Sequence, residues 1–374
     1  MRECIAAACV SLVVLGCAGG QREAGSRQAT SPADLLSGDL SGYALALETR
    51  PFAFPADHNS HPEFKTEWWY FTGNLEDGDG RAFGFQLTFF RYALSPQQRA
   101  GTSPWRAHQG WMGHLAVTDV AERRFFSAQR LSRAALGLAG NTAAPYALWL
   151  EDWSATADAA DPFPLRLSAA DRDFALDLML TARKPPVLQG ERGLDRKGPE
   201  PGNASYYYSV PRLSARGEIA IDDAVHAVQG NAWMDREWSS NALSPELQGW
   251  DWFAIQLSDG RDLMFYRLRT ASGETSAYSG GTLIEADGSY RALAPEEIRL
   301  QATEFWTSPV SGARYPVGWQ IEVPQEDLSL AVEALIPNQE MNLAVRYWEG
   351  AVAATGSSAD GAISGRGYLE LTGY

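Results

Sequence analysis

The segment Ala82–Tyr92 has the sequence AFGFQLTFFRY, in which large apolar side chains alternate with small or polar ones. The large apolar positions are Phe83, Phe85, Leu87 and Phe89. A period of two residues is typical of a β-strand that turns one face to a core. Leu263–Arg269 shows a similar alternation, and pairs such as Asp259-Gly260 favour hairpin turns. Helical spacing is confined to short pieces such as Ala294–Leu300, so the sequence predicts an all-β protein of many antiparallel strands.

An internal repeat relates two of these predicted hairpins. Once two residues are skipped after the turn, Trp68–Phe89 aligns with Trp250–Arg269. The seven identical pairs are Trp68/Trp250, Phe71/Phe253, Leu75/Leu257, Asp77/Asp259, Gly78/Gly260, Arg81/Arg261 and Phe85/Phe265. The two copies are separated by about half of the 374-residue chain, whereas a solenoid repeats every ~20–50 residues. The sequence therefore predicts a duplicated β-domain, with two antiparallel barrels or sandwiches in tandem.

The composition argues against several classes of protein. Lys and Arg number 31 and Asp and Glu number 46, and the net charge of −15 argues against an electrostatic nucleic-acid binder. The chain has no P-loop, no Gly-x-Gly-x-x-Gly and no Gly-x-Ser-x-Gly, so we expect neither a nucleotide cofactor nor an α/β-hydrolase site. His58 and His61 are close in sequence but are weak evidence for a metal. We therefore expect no cofactor and no metal.

The N-terminal segment predicts export. Residues 1–16 combine a basic start with about a dozen uncharged residues, which is typical of a secretory signal and too short to span a bilayer. Val14–Cys17 (VLGC) resembles a bacterial lipobox, whose Cys is acylated after cleavage. We expect a signal peptide over residues 1–16, lipid on Cys17 and a flexible tether over residues 17–44. The alternative is an ordinary signal peptide that contains a Cys.

This reading predicts a location. A protein held by lipid on Cys17 belongs to the bacterial cell envelope. Because Ala18 and not Asp follows the Cys, we expect the periplasmic face of the outer membrane. The other two Cys residues would be removed with the signal peptide, so the mature protein would contain no disulfide.

Two tryptophan-rich runs also carry acids. In the strand predicted around Asp235, Trp233 and Glu237 point to the same side as Asp235. The two carboxyls would lie ~6.5–7 Å apart beside indole rings, and burial would raise the pKa of at least one. A neutral carboxyl group in an apolar pocket can protonate an alkene or a leaving group. The alternative is a structural role, in which arginines such as Arg91 or Arg267 pair with these acids inside a barrel.

The other run contains Glu67 beside two tryptophans. In a strand, Glu67 and Trp69 share one face, whereas Trp68 and Tyr70 share the other. These aromatic side chains either line a cavity for an apolar ligand or form a core that closes the end of a barrel. The sequence leaves both interpretations open.

These runs carry a family resemblance. They belong to a set of five motifs: His61–Leu75 (HPEFKTEWWYFTGNL), Trp233–Trp238 (WMDREW), Gly249–Phe253 (GWDWF), Tyr347–Gly350 (YWEG) and Gly367–Tyr374 (GYLELTGY). In this order the motifs resemble those of the carotenoid 1,2-hydratase/AttH family of lipocalin-like proteins, over residues 45–374. The resemblance implies two lipocalin-like antiparallel β-barrels packed together. We place the N-terminal domain at residues 45–235 and the C-terminal domain at residues 236–374.

The resemblance also implies site residues. In the carotenoid hydratases the Asp of the central motif is the proposed proton donor to the alkene, and it matches Asp235. The following residue, often His in the family, is Arg236 here. From the acids of the two tryptophan-rich runs themselves, we expect Glu237 or Glu67 to assist Asp235. The residues expected to contact an apolar ligand are Trp68, Trp69, Tyr70, Arg91, Trp233, Trp238, Trp252 and Trp348.

Three functions are consistent with these observations. The first is a lipid-anchored envelope protein that binds a lipid or isoprenoid-like molecule and assists an ABC-transporter permease, because some family members are encoded beside such permeases. The second is an enzyme of hydratase, isomerase or hydrolase type with Asp235 as general acid. The third is a purely structural envelope protein. The expected partners are an apolar small molecule or lipid and, through Cys17, the membrane, with no nucleic acid.

Overall fold

The computed structural model of the protein describes residues 40–96, 103–241, 244 and 246–374. The predicted signal peptide, Cys17 and most of the predicted tether lie outside these residues, so their roles stay predictions. In the described part of the chain, helical structure is limited to three 3₁₀ turns, at Ala56–His58, Pro295–Glu297 and Pro324–Glu326. None of these helices has the length and apolar character needed to cross a bilayer. The prediction of an all-β protein is confirmed.

Thirteen strands form the first sheet. They are β1 (Thr66–Asp77), β2 (Ala82–Ala93), β3 (Gln109–Asp119), β4 (Arg124–Arg133), β5 (Ala139–Ala143), β6 (Tyr146–Leu150), β7 (Trp153–Thr156), β8 (Leu165–Ala170), β9 (Phe174–Ala182), β10 (Val187–Leu188), β11 (Leu194–Arg196), β12 (Ala204–Ile221) and β13 (Ala224–Asn241). The strands pair antiparallel in the order β4-β3-β2-β1-β13-β12-β9-β8-β7-β6-β5. The short strands β10 and β11 pair with β12.

Ten strands form the second sheet. They are β14 (Leu247–Leu257), β15 (Asp262–Thr270), β16 (Gly280–Ile284), β17 (Tyr290–Leu293), β18 (Arg299–Thr307), β19 (Arg314–Val323), β20 (Leu328–Ala334), β21 (Glu340–Asn342), β22 (Arg346–Ser358) and β23 (Gly361–Leu371). Their order is β17-β16-β15-β14-β23-β22-β20-β19-β18, with β21 on β22. The two orders correspond around the hairpins β1–β2 and β14–β15. The expected pair of tandem, barrel-like antiparallel domains is therefore confirmed.

Side-chain alternation gives each curled sheet its own core and leaves a third cluster between them. Trp69 and Phe71 point into the first core, and Phe253 and Trp348 point into the second. Between the sheets, aromatic side chains of both barrels meet in a separate apolar cluster that includes Tyr70, Trp233, Trp252, Tyr266 and Tyr368. The same strands thus supply a barrel interior with one face and an interdomain surface with the other.

The two barrels pack directly against each other. A Cβ atom on Gly84 of β2 would lie 2.6 Å from the Cβ of Ala351 of β22, so the close approach of these strands requires a residue without a side chain. Gln256 of β14 donates from Nε2 to the carbonyl oxygens of Pro211 (2.8 Å) and Ala232 (2.9 Å) in the first barrel. These contacts fix the position of the two walls that enclose the space between the barrels.

Two details differ from the sequence-based expectation. The chain leaves the first sheet at Asn241 and enters the second at Leu247, so the expected division after residue 235 falls inside β13. Ala294–Leu300 does not form a full helical turn of α type. Its Pro295 begins a 3₁₀ turn of three residues, and β18 follows at once because pairing with β19 outweighs the local helical spacing.

Candidate active site between the two barrels

A cavity of about 110 Å³ lies between the barrels, and each barrel contributes one wall. Its aromatic lining includes Trp68, Tyr70, Tyr207, Trp250, Trp252 and Tyr266. Its charged or ionisable lining includes Asp235, Glu237, Lys197, Glu349 and Glu370. The cavity is small beside the ~300–1,000 Å³ of typical small-molecule sites, so it fits one end of a long apolar molecule.

Asp235 of β13 is held by three neutral hydrogen-bond donors. Tyr207 donates to its Oδ2 at 2.6 Å, whereas Ser209 at 2.5 Å and the indole of Trp233 at 2.7 Å donate to its Oδ1. The indole of Trp252, from the other barrel, donates to the Tyr207 hydroxyl at 3.2 Å. This carboxyl group is therefore fixed in orientation by both barrels without an arginine or lysine among its hydrogen-bond partners.

The surroundings of Asp235 change its acidity. Burial raises the pKa of this carboxyl to about 7, although the hydrogen bonds from Ser209, Tyr207 and Trp233 act in the opposite direction. The nearby charge of Glu237 raises it further. A carboxyl group that titrates near neutral pH can both give and take a proton under ordinary conditions. Asp235 thus has the acidity that a general acid requires.

Glu237 lies two residues further along the same face and has a cationic partner. Lys197 Nζ lies 2.5 Å from Glu237 Oε1 and 3.5 Å from Asp195 Oδ2. Tyr266 of the second barrel donates to Asp195 Oδ1 at 2.5 Å. Burial raises the pKa of Asp195 to about 6 despite the charge of Lys197. Lys197 therefore balances Glu237, which leaves Asp235 as the acid of β13 without a cationic partner.

The wall of the second barrel carries two more acids. Glu349 of β22 and Glu370 of β23 are directly opposite each other in the strand register. Tyr70 donates to Glu349 Oε1 at 2.5 Å, and the indole of Trp250 donates to Glu370 Oε1 at 2.8 Å. Burial raises the pKa of Glu349 well above its usual range and that of Glu370 to about 8. Both carboxyls are therefore disposed to retain a proton.

Glu67 lies on the opposite face of the same region, inside the first barrel. Its carboxylate forms ion pairs with Arg91 and Arg236, and the backbone N–H of His61 donates to both of its oxygens (3.1 and 3.0 Å). Burial alone would raise the pKa of Glu67, but the charges of Arg236 and Arg91 hold it well below its usual range. The Arg236 guanidinium also stacks 3.9 Å from the ring centre of Trp69. This cluster is a paired structural element of the barrel interior.

The structure separates the residues expected from the sequence into two groups. Trp68, Tyr70 and Trp252 line the cavity with Asp235 and Glu237, and Trp233 lies behind Asp235 as a donor. The expected ligand contacts that instead lie inside a barrel, away from the cavity lining, are Trp69, Trp238, Arg91 and Trp348. The ring of Trp238 stacks on His61 with 3.8 Å between ring centres, and Trp348 donates to the Pro337 carbonyl. The reason is strand alternation, which sends neighbouring residues to opposite faces.

Two expected ion pairs are also replaced by others. Arg91 pairs with Glu67 and Arg267 pairs with Asp251, so neither arginine reaches Asp235 or Glu237. The expected alternative of an arginine-paired Asp235 is therefore wrong. Glu67, which we expected to assist Asp235, has its carboxylate inside the first barrel.

Sequence reasoning missed several residues of the site, among them Lys197, Tyr207, Glu349 and Glu370. Lys197 lies in a loop, and no periodicity or motif in the surrounding sequence indicates its role. The two glutamates lie in the motifs Tyr347–Gly350 and Gly367–Tyr374, and the alternation of Leu369 and Leu371 around Glu370 could have placed that acid on the interdomain face. In the described residues no group of three or more His, Cys, Asp or Glu side chains is arranged to hold a metal ion.

Comparisons with known proteins agree with this architecture. The sequence profile of the AttH-like family matches residues 45–374. The crystal structure of a candidate AttH from Nitrosomonas europaea is 35% identical and superposes with a TM-score of 0.77, covering 88% of this chain and 99% of that one. Kievitone hydratase from Nectria haematococca shares the fold at 12% identity, with a TM-score of 0.66 over 86% of this chain and 92% of that one.

A curated relative adds a family-level link to carbon–oxygen chemistry. Dehydratase asqC from Emericella nidulans is 20% identical over 181 residues, which are 47% of this chain. The match covers 50% of that protein, so the chain spans half the length of this relative. Because the family profile covers both barrels and the Nitrosomonas structure aligns over nearly its full length, the chain belongs to the AttH-like family.

Proposed function

We propose that the protein is a carbon–oxygen lyase of hydratase or dehydratase type that acts on an apolar substrate in the cavity between the barrels. The observation that carries the proposal is Asp235: a buried carboxyl group, oriented by neutral donors, that faces an aromatic cavity. The names of two similar proteins, kievitone hydratase and dehydratase asqC, support the reaction class.

The chemistry follows from the protonation of Asp235. In hydration, the Asp235 proton moves to one alkene carbon, the π electrons form the new C–H bond, and the other carbon becomes cationic. A lone pair of water then forms the C–O bond, and the water loses a proton. Dehydration is the reverse, with protonation and departure of the hydroxyl as water followed by loss of a proton from carbon.

The cavity walls suit such an intermediate. Indole and phenol rings attract a cation placed over their faces, and the interaction is stronger where water is excluded. Trp68, Tyr70 and Trp252 supply such rings beside Asp235. The limited volume also excludes most bulk water, which protects a cation from unproductive capture. An isoprenoid alkene, with a branched carbon that stabilises positive charge, is the substrate class that we favour.

A second candidate function uses the same apolar cavity for binding alone. In this proposal, the protein is a lipid-anchored envelope protein that carries a lipid or isoprenoid-like ligand, as an accessory to an ABC transporter. The aromatic lining favours it. The enzyme proposal explains Asp235 better, because a carrier for an apolar ligand gains nothing from a buried acid without a cationic partner.

Turnover of defined probes tests the two candidates. Purified protein would be incubated with farnesol and geranylgeraniol for hydration, and with linalool for dehydration, in ¹⁸O-labelled water. We expect mass spectrometry to show ¹⁸O in an alcohol product, or a triene formed from linalool by loss of water. Asp235→Asn should lower turnover by about 10²–10⁴-fold, the usual contribution of a general acid. Glu340→Gln is the matched control, because Glu340 is a buried acid of the second barrel outside the cavity lining.

Binding without turnover would favour the carrier. If wild type retains these probes at one molecule per chain without chemical change, and Asp235→Asn retains them equally, the enzyme proposal fails for this class. The envelope location is tested separately with Cys17→Ser. We expect wild type to take up labelled palmitate and to sediment with membranes, and the variant to do neither. An unlabelled wild-type protein would contradict the lipid anchor.

A further inference from the structure

The second barrel presents its own acids to the cavity. Glu349 and Glu370 face each other across the hydrogen-bonded strands β22 and β23, and both belong to the cavity lining. Side chains directly opposite on antiparallel strands have Cβ atoms ~4.5–5.5 Å apart, so the two carboxyls are close neighbours. Two like charges at this separation in an apolar site repel each other, so one carboxyl stays neutral.

One oxygen of this pair has no partner. Glu349 is fully buried, and its Oε1 accepts from Tyr70. Its Oε2 is buried without a hydrogen-bond partner among the described residues. A neutral Glu349 explains this arrangement, with Oε1 as the carbonyl acceptor and Oε2 as the hydroxyl. A buried hydroxyl without an acceptor is a position at which a polar ligand atom is expected.

The pair also has a definite relation to Asp235. Tyr70 of β1 lies opposite Asp235 of β13, and Trp252 of β14 lies opposite Glu370 of β23. Tyr70 and Trp252 are aligned positions of the internal repeat. Asp235 and Glu370 therefore occupy equivalent positions on the strands that pair with β1 and β14, the first strands of the duplicated hairpins, and both face the one cavity from different sheets.

We infer that Glu349 and Glu370 form the water site of this cavity: a water molecule, or the hydroxyl group of an alcohol substrate, binds between their carboxyls and exchanges a proton with Glu370. This inference rests on the proposed hydratase or dehydratase function. It assigns the residues that bind the water molecule and exchange a proton with it. Glu349 Oε2–H donates to the oxygen of the bound water, and Glu370 accepts a hydrogen bond from it. Asp235, on the other wall of the cavity, exchanges a proton with the substrate carbon.

The proton balance is complete. In hydration, Asp235 gives its proton to the alkene carbon, and the water oxygen forms the C–O bond with the cation. The water proton that is then released passes to Glu370. The reactive form is the one in which Glu370 has lost its own proton, a minor form at neutral pH because burial raises its pKa to about 8. Return of that proton to Asp235 through solvent restores the starting state. In dehydration, protonated Glu370 gives its proton to the departing hydroxyl, and Asp235 accepts the proton lost from carbon.

Infrared spectroscopy tests the water site without any substrate. Wild type near neutral pH should show a protonated-carboxyl band that Glu349→Gln removes and that Glu340→Gln leaves in place. In D₂O the band should shift within minutes in the folded protein, because the water site communicates with solvent. The inference is overturned if Glu349→Gln removes no such band, or if the wild-type band shifts only at the rate of global unfolding. If Glu349→Gln does not fold, the exchange measurement is made on Asp235→Asn, in which the band of Asp235 is gone and the bands of Glu349 and Glu370 remain. Their shift within minutes supports the water site, and a shift only at the rate of global unfolding overturns it.

Turnover of the farnesol and linalool probes separates this inference from the proposed function. We expect Glu370→Gln to lower kcat by about 10²–10³-fold while the infrared band of Asp235 persists. If Asp235→Asn abolishes turnover and both glutamine variants keep it, the water site is overturned and the proposed function stands. If wild type converts none of the probes, the proposed function fails for this class, and the infrared result still shows whether the water site exists.

Discussion

Glu67 and Asp235 lie on the same pair of hydrogen-bonded strands, β1 and β13, yet their surroundings are opposite. Glu67 points into the first barrel, where Arg91 and Arg236 neutralise it. Asp235 points out of the barrel toward the second domain and has only neutral hydrogen-bond partners. Both carboxyls are buried. One has its pKa well below the usual range, and the other has it raised to about 7.

The difference shows how the two faces of one sheet can hold acids of different kinds. One face holds an acid fixed in ion pairs, and the other holds an acid that can transfer a proton. A buried acid between two arginines is locked in its ionised form, because loss of its charge would leave two cations unpaired. A buried acid without a cation keeps its proton to higher pH and can transfer it. Since successive residues point to opposite faces, the same two strands supply both kinds of acid.

The largest effect is expected for Glu67→Gln. It removes the negative charge between two buried arginines, so we expect a loss of roughly 3–5 kcal/mol in the free energy of unfolding at neutral pH. Urea denaturation monitored by tryptophan fluorescence measures it. A loss below about 1 kcal/mol would contradict the ion-pair role of Glu67.

The pH dependence of stability provides a second measure of Glu67. Its pKa is lower in the folded than in the unfolded protein, so its contribution is complete above the ordinary carboxyl pKa of about 4.5 and declines as the pH falls below it. The unfolding free energy of Glu67→Gln should therefore depend less on pH in this acidic window than that of wild type. Equal slopes for the two proteins would show that Glu67 does not titrate differently on folding.

A smaller change of opposite sign is expected for Asp235→Asn. The folded pKa of Asp235 is raised, so its contribution to stability is complete below about 4 and is lost as the pH rises to about 7. An asparagine does not titrate. We therefore expect the variant to be more stable than wild type by about 1–3 kcal/mol at pH 9, with little difference at pH 4. Thermal unfolding at the two pH values measures this, and a destabilised variant at pH 9 would refute the raised pKa of Asp235.

Tyr207→Phe should have a weaker effect on stability and a measurable one on acidity. The variant loses the hydrogen bond to Asp235, at about 1 kcal/mol. Because this bond lowers the pKa of Asp235, its loss should raise that pKa. The infrared titration of the Asp235 band should move to higher pH. A shift to lower pH would show that the tyrosine hydroxyl favours the neutral acid.

The smallest effect is expected for an acid exposed to solvent. Asp222 pairs with Arg124 at 2.7 Å on the surface. Exposed ion pairs contribute little, because water and salt screen them. Asp222→Asn should leave the unfolding transition unchanged at pH 4, at neutral pH and at pH 9. It serves as the control for the two buried acids. A clear loss here would mean that charge removal itself, and not burial, explains the other results.

Much of the fold was predictable because its causes are local. The alternation in Ala82–Tyr92 identifies β2, and the match of Trp68–Phe89 with Trp250–Arg269 identifies the duplicated hairpin. The common face of Trp233, Asp235 and Glu237 is likewise a property of one strand. Prediction failed where the partner comes from elsewhere: Lys197 reaches Glu237 from a loop, and no spacing in the sequence indicates it.

The sequence by itself determined the all-β architecture, the duplication and the two faces of β13. The period of two and the repeated residues are local properties of the sequence, so they do not depend on how the sheets pack. Only the tertiary structure decided which face of each strand lies between the barrels. That packing placed Trp69, Trp238 and Trp348 in barrel cores and brought Asp235, Glu349 and Glu370 to one cavity. Burial and charge pairing depend on contacts between residues far apart in sequence, and these contacts exist only once the two sheets have packed.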